Sequence, residues 1–338
     1  MRTTITEQIR RVQNGEHLTR EETRETFASM MAGALEPQWT AALICALKTK
    51  GEHVDELVGA AEAMRHAAKR VRCDRPCIDT CGTGGDGIST FNVSTTAAII
   101  AAAGGAVVAK HGNRTNTRVS GSSEVLNELG VNLEADIPVL ERCLDRCNLA
   151  FMHAPHLHPA MVHAVPVRKA IAARTMFNLL GPLANPAGTE FQILGVSRHE
   201  HLELMASALN KLGAKRVWVV HGEDGLCDLT ITGKTHICEL RDGAVKMHTV
   251  QPKDVGLTVA PLEELIVGSP SESAACVRAI LNKEHGPKRD HAVLNAAAAL
   301  TVYGVTETLS EGVQLAIQMI DSGKAQEKLA QVAKESHT

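Results

Sequence analysis

The sequence predicts an α/β protein, with a small all-helical domain and a large α/β domain built on a mainly parallel central sheet. Three observations predict it. The first seventy residues carry helix signals throughout, short apolar runs alternate with helical segments from Cys77 onward, and a helical tail begins near Ser271. Strands alternating with helices are the grammar of βαβ units, whose strands run parallel. With 338 residues and 44% hydrophobic content, the chain has enough apolar side chains for a large core and a smaller one beside it.

In the first segment, Thr4 with Glu7 and Thr19 with Glu22 fit capping boxes, Pro37 suits a first helical turn, and Val54 to Ala68 is amphipathic. A helical domain over 1–72 follows. The large domain opens with CIDTC, a helix near Thr95 to Ala103, AVVAK, a helix near Ser122 to Leu129, and LAFMH. Strand signals then stop, and MVHAVPVRKAIAARTMFNLLGPLANP reads as helices ended by Gly181-Pro182 and Asn185-Pro186, so that 162–188 is expected to rejoin the helical domain. Sheet returns at FQILGVS and RVWVVHG, with two or three short strands between Asp228 and Val250. The large domain is thus assigned 73–161 and 189–338. The Met and Ala content of Val54 to Ala68 and of Asn295 to Val302 reads as packing between helices or subunits.

Composition narrows the function. Aromatics are 2% of the chain, too few to offer stacking platforms, so nucleic acid is not an expected partner. A formal charge of −3 excludes a generally basic surface, and a polyanionic ligand must therefore meet a local cluster of donors together with a metal. Nine scattered cysteines, an odd number in a chain of this size, point to a reducing cytoplasm. The N-terminal residues have no apolar signal core, and the apolar stretch Thr95 to Ala109 is broken by Gly104-Gly105, so no membrane span is expected. Cys73, Cys77 and Cys81 recur every four residues but match no thiolate motif, and Pro76 with the strand at 77–81 is expected to splay their side chains. His153, His156, His158 and His163 lie close in sequence without acids or thiols at zinc-ligand spacing, and read as structural or channel-lining residues.

The strongest local signal is Asp79 to Gly87, DTCGTGGDG, a glycine-rich turn leaving a strand, followed by Thr90-Phe91-Asn92-Val93-Ser94-Thr95 where a helix begins. Glycines let backbone N–H groups approach oxygens, and a helix N-terminus adds unpaired donors and a favourable dipole. Alone, a glycine cluster reads first as a flexible surface loop. Asp79 and Asp86, which flank the turn, and the loop after the next strand change that reading. That second loop runs Lys110-His111-Gly112-Asn113-Arg114-Thr115-Asn116-Thr117-Arg118-Val119-Ser120-Gly121-Ser122, at the carboxyl end of a strand where open α/β sheets bind ligands. Two such loops facing one crevice match a ligand with several phosphates.

GTGGD, the NxST of 92–95, KHGNR, Ser120-Gly121-Ser122, HPAM at 158–161, FNLLGPLANP at 177–186 and HGEDGL at 221–226, in this order and over nearly the whole chain, resemble the anthranilate phosphoribosyltransferase family of tryptophan biosynthesis. The resemblance implies the nucleoside phosphorylase/phosphoribosyltransferase-like fold, a homodimer formed through the small domains, Mg²⁺ as cofactor, and anthranilate and phosphoribosyl pyrophosphate as substrates. It places phosphoribosyl pyrophosphate against Gly82, Gly85, Asp86, Thr90, Asn92, Val93, Ser94 and Thr95, with Lys110, His111, Gly112, Asn113, Arg114, Thr115, Asn116, Thr117, Arg118 and Ser122 closing over it. Anthranilate is expected at Gly82, Asn113 and Arg168, in a channel lined by His111, His158 and Pro182. Arg168 is the expected partner of its carboxylate, because a planar guanidinium matches a carboxylate bidentately. No residue is assigned as base, and His111 stands as the candidate proton acceptor.

The chain departs from the family pattern at Cys227-Asp228, where the pattern has an adjacent Asp-Glu pair for Mg²⁺. The implied metal ligands are Ser94 and Asp228, with Glu223 or Asp224 as helpers and Cys227 a poor substitute, since Mg²⁺ takes hard oxygen donors. Arg118 stands where a small hydroxyl residue is expected, and either contacts phosphate or points into solvent. Two other functions remain open to the sequence: a nucleoside phosphorylase, and a catalytically silent relative that binds nucleic acid or a partner.

Overall fold

A computed structural model describes residues 2–113 and 119–338. Its four N-terminal helices are α1 (Arg2–Gln13), α2 (Arg20–Met31), α3 (Pro37–Lys50) and α4 (Val54–Ala67). The capping box of Thr19 and Glu22 is present, and Pro37 occupies the first turn of α3. Thr4 is no cap, because α1 already starts at Arg2 and leaves Thr4 in helical backbone. Gly59 of α4 lies so close to the Arg20 carbonyl that a Cβ there has no room, and this absence lets α2 and α4 touch along their backbones.

The remainder wraps a seven-stranded sheet: β1 (Ile78–Gly82), β2 (Val108–Gly112), β3 (Leu149–His153), β4 (Phe191–Gly195), β5 (Arg216–Gly222), β6 (Thr235–Arg241) and β7 (Ala244–Val250), in the order β3-β2-β1-β4-β5-β6-β7. The first five are parallel; β6 and β7 form an antiparallel edge. The two or three short strands expected after Asp228 are therefore two strands of seven residues.

Side-chain alternation along the strands divides two cores. Ile193, Trp218, Val220 and Ile237 face one, shared with helix α5 (Val93–Ala103) and the C-terminal helices. The Ala296–Ala299 run of helix Pro287–Tyr303 is fully buried there, as a helix apolar on every side must be. Leu194, Val217, Val219, Cys238 and Leu240 face the other core, together with α1 to α4 and Met176, Phe177, Leu180 and Leu183 of the strandless segment. That segment consists of short helices, Pro159–His163, Val165–Ile171, Phe177–Leu180 and Gly181–Leu183; the helix Phe177–Leu180 ends at Gly181 as expected, and Pro182 sits inside the tight turn that follows.

Cys73 and Cys77 do not splay. Their thiols are near enough to couple, the Cys73 thiol being pushed down and the Cys77 thiol up, while Cys81 accepts a hydrogen bond from Gln192 Nε2 at 3.1 Å. The chain bends at Asp74-Arg75, and the Arg75 guanidinium anchors the bend by donating to Asn148 Oδ1 at 2.8 Å and to the Leu144 carbonyl at 2.6 Å.

Candidate active site

β1 pairs with β2 on one side and with β4 on the other, so the chain reverses its direction of sheet growth there, and loops leaving the carboxyl ends of β1 and β4 diverge to open a crevice. A cavity of about 710 Å³ occupies this crevice. Its sheet side is lined by Gly82, Gly84, Gly85, Thr90, Asn92, Val93, Ser94, Lys110, His111, Gly112, Asn113 and Ser122. The strandless segment supplies the facing wall with His158, Arg168, Arg174, Phe177 and Pro182, and Cys227 and Asp228 close one end.

Gly84 and Gly85 take φ of 61° and 82°, a backbone that favours glycine. The following helix is capped by Asn92, whose Oδ1 accepts the Thr95 N–H at 3.2 Å. Thr95 is fully buried behind the lining, below the layer of Asn92 and Ser94 that borders the cavity. Gly112 must also be small, because a Cβ there would come within 2.8 Å of Ser122 Oγ, which donates to the Asn113 carbonyl at 3.1 Å and ties the two ends of the second loop together.

At the base of the cavity sit two buried groups of opposite charge, Lys110 in the lining and Asp79 behind it. Lys110 donates to the Thr80 carbonyl and, at 3.1 Å, to Ser94 Oγ. Asp79 accepts the His111 backbone N–H at 3.1 Å and Asn185 Nδ2 at 2.7 Å. Burial pushes the Asp79 carboxyl up and the Lys110 ammonium down, and each one's charge opposes the shift of the other. The acceptors around Lys110 and the donors around Asp79 match the ionised pair. Asp79 thus braces strand ends from below; it does not reach the cavity.

His111 and His158 are buried with ring centroids 5.0 Å apart. Burial lowers their pKa values to about 3 and about 4, so both rings are neutral at pH 7, and the Nε2 atom of each lacks a hydrogen-bond partner among the described residues. The Arg168 guanidinium stacks over Phe177, 5.3 Å from the ring centroid.

Of the acids considered for a metal, Asp228 borders the cavity, and Asp86 comes alongside, its Oδ2 accepting the Cys227 N–H at 3.3 Å. Glu223 is turned away, paired with Lys234 at 3.9 Å and His236 at 3.6 Å. Asp224 is committed to its own turn, accepting the Thr230 hydroxyl at 2.5 Å and the Thr232 hydroxyl at 2.7 Å. Both stay outside the lining because the turn after β5 folds back toward β6. Cys227 is buried, and its backbone presses on Gly195 so closely that no Cβ fits there. Arg114, Thr115, Asn116, Thr117 and Arg118 lie outside the described residues. Arg174 and Asn178 join the lining without having been singled out from the sequence.

Two family models match the chain: "Glycosyl transferase family, a/b domain" over residues 74–326 and "Glycosyl transferase family, helical bundle domain" over residues 6–68. The anthranilate phosphoribosyltransferase of Anaeromyxobacter sp. (strain K) is 47% identical over 329 residues, 97% of each chain. The chain belongs to the anthranilate phosphoribosyltransferase family. The Symbiobacterium thermophilum member is 45% identical over 97% of each chain. The crystal structure of the Thermus thermophilus member superposes with a TM-score of 0.93 at 42% identity, covering 98% of this chain and 99% of that one. The Saccharomyces cerevisiae member, solved in complex with PRPP and Mg, shares the fold at a TM-score of 0.91 and 24% identity, covering 100% of this chain and 99% of that one. The helical unit and the mostly parallel sheet are thus those of the family.

Proposed function

We propose that this chain transfers the phosphoribosyl group of phosphoribosyl pyrophosphate to the amine of anthranilate, releasing pyrophosphate. One observation carries the reading beyond family membership: a single cavity joins two glycine- and hydroxyl-rich strand ends, suited to phosphates, to a wall bearing Arg168, His158 and Pro182, suited to an aromatic acid. In this reading the donor lies along Gly82 to Gly85, Thr90, Asn92 and Ser94, with Lys110, Asn113 and Ser120 to Ser122 beside it. Anthranilate sits with its carboxylate on Arg168 and its ring near His111, His158 and Pro182.

As the C1–O bond to the diphosphate breaks, its electron pair leaves with pyrophosphate, and the amine forms the C1–N bond. An arylamine is neutral at pH 7 and already nucleophilic, so positioning and charge stabilisation carry the step. The neutral His111 Nε2 can accept a hydrogen bond from the amine, while its low pKa makes it a weak final base, so the proton lost by the newly formed arylammonium passes to the departing pyrophosphate or to water.

Mg²⁺ is usually held by one or two carboxylates together with substrate phosphates, and Asp228 with Asp86 nearby meets that requirement. Bound there, it would neutralise charge on the leaving diphosphate. Ser94 Oγ, engaged with Lys110, is the remaining hard donor. We also propose a cytoplasmic homodimer, with residues 1–72 joined by 162–188 acting as the small domain. The test is to mix protein, anthranilate, phosphoribosyl pyrophosphate and Mg²⁺ and to follow anthranilate fluorescence. Metal-dependent loss of fluorescence is expected, and none at any Mg²⁺ concentration would overturn the reading.

A further inference from the structure

Arg174 holds a position that no part of the reading above uses. Helix Val165–Ile171 ends at Ala172, whose left-handed φ of 50° turns the chain back toward the sheet. Asn178 Oδ1 then accepts the Thr175 N–H at 3.0 Å and fixes the turn. The result is an arginine that starts on the helical wall and crosses the cavity to the first glycine loop. Its guanidinium lies against Gly85, and a Cβ at Gly85 would fall on Nη1.

The packing is not that of a structural arginine. Arg65, buried in the same half of the molecule, donates to the Leu183 carbonyl at 2.7 Å and the Leu212 carbonyl at 3.4 Å. Arg174 Nη2 is buried and has no hydrogen-bond partner among the described residues, an arrangement that costs free energy unless a ligand completes it. The surroundings specify that ligand's charge. Gly84 and Gly85, both at positive φ, turn the loop backbone toward the cavity, and the Lys110 ammonium lies behind Ser94. A planar fork of donors converging with these groups suits a multiply charged phosphate oxygen cluster.

We propose that Arg174 binds the diphosphate of the phosphoribosyl donor and holds it as it departs, making the helical wall a contributor to the donor site as well as to the acceptor site. The proposal rests on the transferase reading. It assigns Arg168 and Arg174, six residues apart on one wall, to opposite substrates.

The experiment compares wild type, Arg174→Gln and Arg174→Lys in steady-state kinetics, and measures pyrophosphate binding in the presence of Mg²⁺ by calorimetry. Losing a hydrogen-bonded charge contact predicts a fall of about 10- to 100-fold in kcat/KM for phosphoribosyl pyrophosphate in Arg174→Gln. Pyrophosphate affinity should fall in parallel, with KM for anthranilate within about twofold of wild type and partial recovery in Arg174→Lys. Pyrophosphate binding unchanged in Arg174→Gln would overturn the proposal, as would a rise in the anthranilate KM alone. If Arg174→Gln lowers the melting temperature, the charge-retaining Arg174→Lys carries the comparison, and equal pyrophosphate affinity in it and wild type counts against the bidentate contact. If wild type gives no turnover, the transferase reading fails, and calorimetry still decides whether Arg174 holds pyrophosphate.

Discussion

The floor and the wall of the cavity are built on opposite principles. On the floor, Lys110 donates to the Thr80 carbonyl, Asn185 donates to Asp79 and to the Ala109 carbonyl, and Asp79 accepts the His111 N–H, so these bonds tie β1, β2 and the end of the strandless segment together. On the wall and at its edge, His111 Nε2, His158 Nε2 and Arg174 Nη2 have no partner among the described residues. Buried polar groups are normally satisfied, so the floor contributes stability, and the wall keeps hydrogen-bonding capacity in reserve for ligands. If this division is right, mutations in the floor should register mainly in folding and mutations in the wall mainly in one substrate's kinetics.

The largest effect is expected from Asp79→Ala. It leaves Lys110 buried without its counter-charge and removes the acceptor of two hydrogen bonds, which should cost about 3–5 kcal/mol of unfolding free energy, read as a lower denaturant midpoint. A loss below about 1 kcal/mol, with catalysis abolished, would move Asp79 from the floor to the chemistry. Arg168→Ala should leave the fold intact and lower kcat/KM for anthranilate by about 100-fold, the value of a lost charge-assisted contact of about 3 kcal/mol. A matching rise in KM for phosphoribosyl pyrophosphate would break the separation of the two arginines.

The histidine pair sets a smaller, pH-dependent effect. Both folded pKa values are depressed, to about 3 and about 4, so the folded rings stay neutral as the pH falls. The unfolded chain takes up protons below about pH 6.5. Stability is therefore full above that pH and lost progressively toward pH 4, with about 1 kcal/mol per histidine gone at about pH 5.5. The His111→Gln, His158→Gln double variant should show a flatter dependence of melting temperature on pH between about 7.5 and 5. Parallel curves would mean that these rings are not held neutral.

The strand ends and the glycine loops were the most legible parts of the sequence, because strand ends, glycines and cap residues act through local backbone chemistry, whereas the bonds of Asp79 with Asn185 and with His111 join distant segments. Thr19 with Glu22, Pro37 and the strands at Ile78, Val108 and Leu149 follow from their own neighbours in the chain. The turn after β5 was less legible. Glu223 and Asp224 have the composition of metal ligands, but Lys234 and His236 of the next strand hold one and Thr230 with Thr232 the other. Cys73 and Cys77 flank a bend at Asp74-Arg75 that Arg75 anchors on the carbonyl of Leu144, 69 residues away, a contact that no local pattern signals. Arg174 left no signal at all, since its reach to Gly85 depends on a left-handed Ala172 and on docking of the whole segment.

The smallest and most diagnostic change is Cys227→Asp. Cys227 sits where a second carboxylate is expected, its backbone fixed by the Asp86 carboxylate and by close packing on Gly195, so a side chain of similar size enters without moving the turn. Its thiol lies 4.0 Å from the Gly84 carbonyl, at the diphosphate end of the cavity. An oxygen donor there should tighten Mg²⁺ binding relative to a thiol, because a hard cation gains from each added carboxylate that reaches it. The expected result is a severalfold lower Mg²⁺ concentration for half-maximal activity, with little change in KM for anthranilate. An unchanged Mg²⁺ titration would mean that Asp228, Asp86 and the donor phosphates already complete the coordination and that the residue at 227 is read only by its packing.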